Sequence, residues 1–195
     1  MNLVMVKYNS GNVRSVDYAL QRLGINAIVS DDFEVLKSAD RILFPGVGNA
    51  ASAMQSLKEK GLDKLIPNLT QPLLGICLGM QLMCKQSEEG DTPCLGIVPL
   101  EVKKFRGMLK VPHTGWNSVY NLKGGLFGGI QENEYMYFVH AYYAERGEAT
   151  AAECNYIQPF SAAIQYKNFY GVQFHPELSA HAGSRILSNF LKSGL

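Results

Sequence analysis

Short apolar runs alternate with segments of helical period through the first half of the chain. Residues 3–8 form a nearly continuous apolar run, which is typical of a strand buried on both faces. Apolar side chains then recur at helical spacing over residues 13–23, and Gly24 marks the predicted end of that helix. Further apolar runs follow at residues 25–29 and 41–44. The order strand, helix, strand predicts a parallel sheet joined by crossover helices.

The second half of the chain has a different texture, because strand-like runs crowd together with turn residues between them. These runs span residues 96–105, 116–120, 135–142, 149–154, 160–166 and 169–174. Helical period returns only at residues 184–191. We therefore predict an α/β fold with a mostly parallel central sheet flanked by helices, antiparallel strands that extend this sheet in the C-terminal half, and a closing helix. The sequence contains no repeat, low-complexity tract or linker, so one domain over residues 1–195 is expected.

A motif of strand, turn and helix is centred on Cys77. Residues 73–81 read Leu-Leu-Gly-Ile-Cys-Leu-Gly-Met-Gln, an apolar run followed by good helix formers. Gly75 and Gly79 stand two positions either side of the cysteine, where a sharp strand-to-helix turn leaves no room for a Cβ. This pattern predicts a nucleophile elbow whose thiol lies at the first turn of a helix. The motif alone is equally compatible with a small apolar cysteine packed at a strand end.

A histidine and a glutamate follow the last predicted strand. Residues 170–174 lead into His175, Pro176 and Glu177. Pro176 disfavours helix for the residue before it, and in an extended segment residues two apart point the same way. A thiol, a base and a carboxylate that orients the base make up a nucleophilic triad. Alone, the His-Pro-Glu segment is typical of a polar strand end; together with the elbow, it favours catalysis.

A glycine-rich turn, Pro45-Gly46-Val47-Gly48, follows the third predicted strand directly. Two glycines allow backbone N–H groups to turn toward a ligand without steric penalty. An enzyme that attacks a carboxamide carbon has to stabilise an oxyanion, and such N–H groups can do so. Without the other motifs, an ordinary Pro-Gly turn is the simpler interpretation.

Composition and charge exclude several classes of partner. A formal net charge of +1 and an isoelectric point near 7.7 give no electrostatic case for binding nucleic acid. No run approaches the ~20 apolar residues that a membrane helix requires, and the first residues lack a basic leader. The four cysteines form no Cys-x-x-Cys pair and no metal-ligand spacing with the four histidines. We therefore expect a cytoplasmic protein with free thiols and no metal site.

Together these motifs resemble those of the class I (triad) glutamine amidotransferase family. The elbow at residues 75–81, the upstream Pro-Gly-Val-Gly and the downstream His-Pro-Glu match that family in type, order and approximate separation. Residues 8–12, 111–117 and 137–143 further resemble the glutaminase subunits of imidazole glycerol phosphate synthases within it. The likeness covers essentially the whole chain, and it implies the flavodoxin-like fold of class I glutamine amidotransferases.

The resemblance implies a chemistry and assigns residues to it. Cys77 would attack the side-chain amide of glutamine, and His175, held by Glu177, would pass the proton to the departing ammonia. Water would then hydrolyse the γ-glutamyl thioester to glutamate. Groups for the oxyanion and for glutamine are expected from Gly46, Val47, Gly48, Leu78, Gln81 and Tyr142. The resemblance implies no cofactor and no metal.

A partner protein is implied as well. The family passes ammonia to a (β/α)₈-barrel cyclase subunit in a heterodimer of histidine biosynthesis, which makes imidazole glycerol phosphate and an aminoimidazole carboxamide ribonucleotide. The expected interface residues in this chain are Asn12, Trp116 and Leu178. Leu178 stands where the family usually has an interface lysine, so the ion pair of that lysine is in doubt. Thr114 and Ala141 depart from the family too, and loss of the serine hydroxyl usual at position 141 would weaken glutamine positioning by ~1 kcal/mol.

Other interpretations remain open. The glutaminase could serve a different ammonia-using synthase, such as a surface-sugar amidotransferase, or the chain could be a non-catalytic regulatory module with the same fold. Trp116 could pack in the core or anchor an interface. His113 and His140 lie in strand-rich segments, where single histidines are usually hydrogen-bonded structural residues.

Overall fold

The structure of this chain is a computed structural model that describes residues 1–9 and 12–192. The strands are β1 (Leu3–Val6), β2 (Ile28–Ser30), β3 (Arg41–Gly46), β4 (Leu73–Cys77), β5 (Gln86–Ser87), β6 (Thr92–Pro93), β7 (Glu101–Lys104), β8 (His113–Val119), β9 (Glu134–His140), β10 (Tyr142–Ala144), β11 (Thr150–Tyr156), β12 (Gln158–Tyr166) and β13 (Phe169–Val172). The α-helices are α1 (Val13–Arg22), α2 (Phe33–Lys37), α3 (Ala50–Glu59), α4 (Leu62–Leu65), α5 (Leu78–Leu82) and α6 (Ala180–Leu191).

A seven-stranded sheet in the order β11-β12-β13-β4-β3-β1-β2 forms the centre of the described chain. The five strands from β13 to β2 run parallel to one another, whereas β11, β12 and β13 pair antiparallel. β1, β3 and β4 are buried along their whole length, which explains why their sequences are apolar runs without alternation. The predicted α/β fold with a mostly parallel central sheet and antiparallel strands is confirmed.

Two hydrophobic clusters cover the two faces of this sheet. Leu3 and Met5 of β1 pack into one cluster together with α1 and α6. Val4 and Val6 point the opposite way and pack into the other cluster, with α2, α3 and α5. Helices therefore cover both faces, and the carboxyl ends of the parallel strands are left as the place where a site can form.

The second half of the chain differs from the prediction in how its strands are grouped. β8 and β9 form a separate antiparallel hairpin, and β7 and β10 pair within a small four-stranded sheet. β13 runs parallel to its neighbour β4. A period of two fixes which side chains share a face, but it contains no information about which strand lies alongside. The expectation of antiparallel strands that extend the central sheet therefore holds for β11 and β12 only.

Helix boundaries follow local signals that the sequence partly reveals. α1 ends at Arg22, and Gly24 lies just beyond it with a φ of +73°. α2 is absent from the predicted elements because five residues are too few to show a period. It is nevertheless capped, since the Asp32 carboxylate accepts hydrogen bonds from two backbone N–H groups of its first turn. No helix in the described part of the chain is long and apolar enough to cross a membrane.

Candidate active site

A sharp turn from strand to helix centres on Cys77, as predicted. Cys77 is the last residue of β4 and directly precedes α5, with φ 53° and ψ −109°. Such a φ is strained for a residue with a side chain, and strain of this kind is typical of nucleophile elbows. A Cβ on Gly79 would lie 1.7 Å from the carbonyl oxygen of Phe44. A Cβ on Gly75 would lie 2.7 Å from the amide nitrogen of Met80, so the turn requires glycine at both positions.

His175 and Glu177 reach this turn from the far end of the chain. β13 pairs with β4 in parallel, Val172 beside Ile76, so the two strands end at the same edge of the sheet. His175 follows in an extended conformation, and Glu177 lies in the short 3₁₀ turn after it. The imidazole Nδ1 is 2.7 Å from Glu177 Oε1, and both side chains are almost fully buried. Cys77 and His175 line one cavity, and the Glu177 carboxylate lies behind the imidazole, hydrogen-bonded to it and fully buried.

Two opposing effects set the charge of His175. Burial lowers the pKa of the imidazole, because it desolvates the charged form. Hydrogen bonds and charge interactions with Cys77 and Glu177 outweigh burial and raise this pKa to about 10. His175 is therefore an imidazolium at neutral pH and carries a proton that it can pass to a leaving group.

Asn12 is a further group on the carboxylate and imidazole. Its Nδ2 atom donates to Glu177 Oε1 and lies 3.4 Å from His175 Nδ1. Asn12 precedes α1 with a φ of 75°, and its side chain does not cap that helix. The amide is thus directed at the site instead of at the neighbouring backbone. The sequence gives no sign of this contact, and the predicted role of Asn12 at a partner interface stays a prediction.

Gln173 is a site residue that the sequence patterns do not identify. It is fully buried, and its Nε2 lies 3.6 Å from Cys77 Sγ, within range of an N–H···S hydrogen bond. Its Oε1 accepts a hydrogen bond of 2.9 Å from Gln81 Nε2. A signal was available, because Gln173 stands two residues before His175 and residues two apart in an extended segment share a face. A glutamine within an otherwise apolar run, on the face of the base, indicates a site residue.

The backbone groups predicted to hold an oxyanion lie beside the sulfur. Gly46 is the register partner of Cys77 between β3 and β4, and Leu78 is the first residue of α5. Val47 and Gly48 line the cavity, and the φ of Gly48, +106°, favours glycine. The fold therefore gathers these residues around Cys77, and their role in binding an oxyanion stays a prediction.

The cavity at this strand edge has a volume of about 280 Å³. Gln81 and Tyr142, both predicted to bind glutamine, line it together with Ala141. Gln81 Nε2 donates a hydrogen bond of 2.9 Å to the carbonyl oxygen of Tyr142. Pockets for drug-sized molecules span roughly 300–1,000 Å³, so this cavity suits a ligand the size of an amino acid.

Two of the residues predicted at a partner interface are well exposed. Trp116 is 50% exposed on β8, and its ring meets that of Tyr137 on β9 edge to face, with centroids 5.7 Å apart. Leu178 is 47% exposed in the 3₁₀ turn next to the site. The backbone links the two segments, because His175 N donates to the carbonyl oxygen of Tyr137 at 2.9 Å. The alternative in which Trp116 packs in the core is therefore wrong.

The other cysteines differ from Cys77 in their surroundings. Burial raises the pKa of the Cys94 thiol to about 11 and that of Cys154 to about 12, and it raises the pKa of Cys84 further. All four cysteines are free. Among the residues that the structure describes, no group of three or more His, Cys, Asp or Glu side chains is placed to hold a metal ion.

Comparison with known families agrees with this geometry. Residues 4–193 match the family model described as glutamine amidotransferase class-I. The match spans nearly the whole chain and includes every part of the site described above. The chain therefore belongs to the class I glutamine amidotransferase family.

Several relatives named imidazole glycerol phosphate synthase subunit HisH are similar to this chain over its length. The protein of Bacteroides fragilis (strain YCH46) is 56% identical, and the alignment covers 98% of this chain and 100% of that relative. The Bacteroides thetaiotaomicron protein is 54% identical, covering 98% and 99%. The Vibrio cholerae protein is 47% identical, covering 98% of each. Within the amidotransferase family, the chain belongs with the HisH subunits.

Solved structures share the fold. The crystal structure of a glutamine amidotransferase matches with a TM-score of 0.75 at 21% identity, over 96% of both chains. A glutamine amidotransferase from Thermotoga maritima matches with a TM-score of 0.65 at 15% identity, over 97% of this chain and 82% of that one. At these identities the likeness shows the fold alone.

Proposed function

We propose that this chain is the glutaminase subunit of imidazole glycerol phosphate synthase and supplies ammonia to a cyclase subunit. The observation that carries the proposal is that Cys77 and His175 line one cavity, with Glu177 hydrogen-bonded to the imidazole, in a chain 46–56% identical to HisH subunits. A cavity of amino-acid size beside the thiol fits glutamine as the ligand.

Glutamine hydrolysis follows from these groups in two steps. The Cys77 thiolate attacks the side-chain carbonyl carbon, which forms a C–S bond and a tetrahedral oxyanion. Collapse of this intermediate breaks the C–N bond, and the proton held by His175 goes to the nitrogen, which leaves as ammonia. Water, deprotonated by the now neutral His175, then attacks the thioester and releases glutamate and the thiolate.

The contacts of the site support a role for each group. Because Nδ1 of His175 is engaged by Glu177, Nε2 is the nitrogen that remains for Cys77 and the leaving group. The N–H of Leu78 and the segment from Gly46 to Gly48 would receive the oxyanion. Gln81 and Tyr142 would hold the substrate.

The partner in this proposal is a (β/α)₈-barrel cyclase, with which the chain forms a heterodimer. Trp116 and Leu178 supply exposed apolar surface for it, and Asn12 donates a hydrogen bond to Glu177. On the cyclase, the ammonia reacts with a phosphoribulosyl-formimino aminoimidazole carboxamide ribonucleotide, which is split into imidazole glycerol phosphate and an aminoimidazole carboxamide ribonucleotide in histidine biosynthesis. Free thiols at all four cysteines support a cytoplasmic location.

The test of the chemistry compares two cysteine variants. The chain is mixed with the cyclase protein of its own organism and the nucleotide substrate of that cyclase, and glutamate release is measured. We expect Cys77→Ala to abolish release, because no other thiol lines the cavity, and Cys84→Ala to retain it, since the Cys84 thiol is buried and protonated. Glutamate release by Cys77→Ala equal to that of the unaltered chain would contradict the proposal.

A second experiment tests the acceptor of the ammonia. The gene is introduced into a bacterial strain that requires histidine because its own glutaminase subunit is deleted, together with the matching cyclase gene. Growth without histidine is expected. Glutaminase activity in the test tube without such growth would indicate that the chain serves a different synthase.

A further inference from the structure

Two buried histidines that the proposed mechanism does not use form a hydrogen-bonded chain that ends at the cavity. His113 Nδ1 and His140 Nε2 are 3.0 Å apart, and His140 Nδ1 is 2.8 Å from the carbonyl oxygen of Tyr142. At the other end, Asn117 Nδ2 lies 3.3 Å from His113 Nε2. The chain thus runs from the β8–β9 hairpin to a backbone group that lines the site.

The two end groups of this row of hydrogen bonds, Asn117 and the Tyr142 carbonyl, fix which atom donates and which accepts in every bond. Asn117 Oδ1 accepts from the backbone N–H of Ser118 at 2.8 Å, so its Nδ2 faces His113 as a donor. His113 Nε2 therefore accepts, which puts the ring proton on Nδ1 and makes it a donor to His140. His140 accepts at Nε2, carries its own proton on Nδ1 and donates to a carbonyl oxygen, which can only accept.

The surroundings keep both rings neutral and fixed. Burial lowers the pKa of His113 to about 4 and that of His140 to about 3, so neither ring takes up a second proton near neutral pH. His113 stacks on Tyr156 and Phe138 with centroid distances of 4.0 and 5.0 Å, and His140 lies 5.2 Å from the ring of Phe160. These ring contacts hold both imidazoles in place, and His140 also lines the cavity.

At the cavity, the hydrogen bonds that start at the two histidines reach the side chain of Gln81. The carbonyl oxygen of Tyr142 also accepts from Gln81 Nε2 at 2.9 Å, and the same Nε2 donates to Gln173 Oε1 at 2.9 Å. Both hydrogens of the Gln81 amide are thus used in hydrogen bonds within the protein. The group that Gln81 turns toward a ligand is therefore its Oε1, an acceptor suited to an ammonium or carboxamide N–H.

We propose that His113 and His140 are positioning residues that hold the Tyr142 carbonyl and, through it, keep the Gln81 oxygen turned to the glutamine ligand. Without the N–H of His140, the carbonyl loses the bond that fixes it, and the Gln81 amide is free to turn its donors to the cavity. The identity of the ligand rests on the proposed function, whereas the bonds and ring protons do not depend on it.

Matched variants at position 140 test the role of the hydrogen bond. His140→Phe keeps a flat ring without a donor, and His140→Asn places an amide nitrogen near the position of Nδ1. In the complex with the cyclase, the rate at which a diazoketone analogue of glutamine alkylates Cys77 is divided by the rate with iodoacetamide, which needs no glutamine site. We expect this ratio to fall about tenfold in His140→Phe, as for one lost hydrogen bond, and to stay within about threefold in His140→Asn.

A packing control and a spectroscopic measurement complete the test. Phe138→Leu loosens the same aromatic cluster without removing a bond of the chain, so it should lower the stability and leave the ratio unchanged. Nitrogen NMR of labelled imidazoles should find the proton of His113 and of His140 on Nδ1.

Two results would overturn the positioning role. One is an equal fall in the ratio for His140→Phe and Phe138→Leu, which would assign the effect to packing. The other is a proton on Nε2 of His140. Failure of the glutaminase function is distinguishable, because the unaltered chain would then resist the diazoketone while both rings still carried their protons on Nδ1. In that case the Nδ1 protons of His113 and His140 would still support a row of hydrogen bonds that orients Gln81.

Discussion

His175 shows how single residues in this site depend on partners from distant parts of the chain. Its imidazole is held by Glu177 two residues on, but Cys77 and Asn12 come from the other half of the sequence. Cys77, His175 and Glu177 could be singled out from the sequence because each stands in a short motif with a local signature, and their catalytic roles stay a prediction. The contact of Asn12 with Glu177 depends on the fold and has no local signature, whereas Gln173 is indicated only by its spacing of two residues from His175.

The raised pKa of His175 predicts a pH dependence of stability. The folded chain holds a proton on this ring up to a pH of about 10, whereas the unfolded chain releases it near 6.5. The contribution of His175 to the free energy of unfolding is therefore complete below pH ~6.5 and is lost as the pH rises to about 10. Urea denaturation of the unaltered chain and of His175→Gln should give a difference that shrinks over this range. A difference independent of pH would contradict the prediction.

The contact of Asn12 with Glu177 predicts an effect on catalysis. Asn12→Ala removes a donor to the carboxylate, and hydrogen bonds to charged groups contribute ~1.5–3 kcal/mol, so kcat/KM should fall at least tenfold. The kcat/KM of Asn12→Asp should fall further, because this substitution places a second negative charge beside Glu177. Activity is measured at a saturating concentration of the cyclase, so that weaker association does not contribute. Gln21→Ala, on the exposed side of the same helix, is the control and should retain activity.

At the scale of elements, the site is built where β3, β4 and β13 end side by side. The sequence reveals β3 and β4 as apolar runs, and it reveals the turn into α5 through Gly75 and Gly79. The glycines act through a close approach between elements, since the backbone of Phe44 in β3 touches Gly79 in α5. For β8 and β9, the period of two predicts that each segment is a strand, but no local signal indicates which strand pairs with which.

Two glycine variants should separate steric overlap from backbone strain. Gly79→Ala puts a Cβ 1.7 Å from a carbonyl oxygen, so the elbow has to open, at a cost of at least ~3 kcal/mol or loss of folding. Gly24→Ala meets no atom within 4 Å and has only the cost of a positive φ, about 1 kcal/mol. Chemical denaturation measures both free energies of unfolding. Equal costs for the two variants would show that the contact with Phe44 is not what the turn depends on.

At the scale of the whole molecule, one strand faces the surface and the site together. β9 exposes Val139 and carries Tyr137 beside Trp116, while its backbone accepts from His175 N and lies 3.9 Å from Cys77 Sγ at the Val139 carbonyl. Ser179 adds to this connection, because its hydroxyl accepts from Tyr137 N and donates to the carbonyl oxygen of His175. The strand that carries exposed Val139 is therefore in direct contact with both Cys77 and the His175 backbone.

This arrangement predicts that the apolar surface of the hairpin and of the adjacent 3₁₀ turn contributes to binding the cyclase. Trp116→Ala and Leu178→Ala should each weaken association at least tenfold, because truncating a large apolar anchor in an interface costs more than ~1 kcal/mol. Ile28→Ala removes an equally exposed apolar side chain from β2, at the opposite edge of the sheet, and should leave the affinity unchanged. Calorimetric titration gives the three dissociation constants. Wild-type affinity in both Trp116→Ala and Leu178→Ala would locate the interface elsewhere.

Trp116 is the only tryptophan of the chain, and half of its side chain is in water. Ultraviolet light absorbed by the indole therefore reports on one place, the hairpin, and on no other part of this protein. Covering that ring with an apolar partner shifts its emission to shorter wavelength. With a tryptophan-free cyclase, association can be followed in real time by the intrinsic fluorescence of Trp116, with no dye attached.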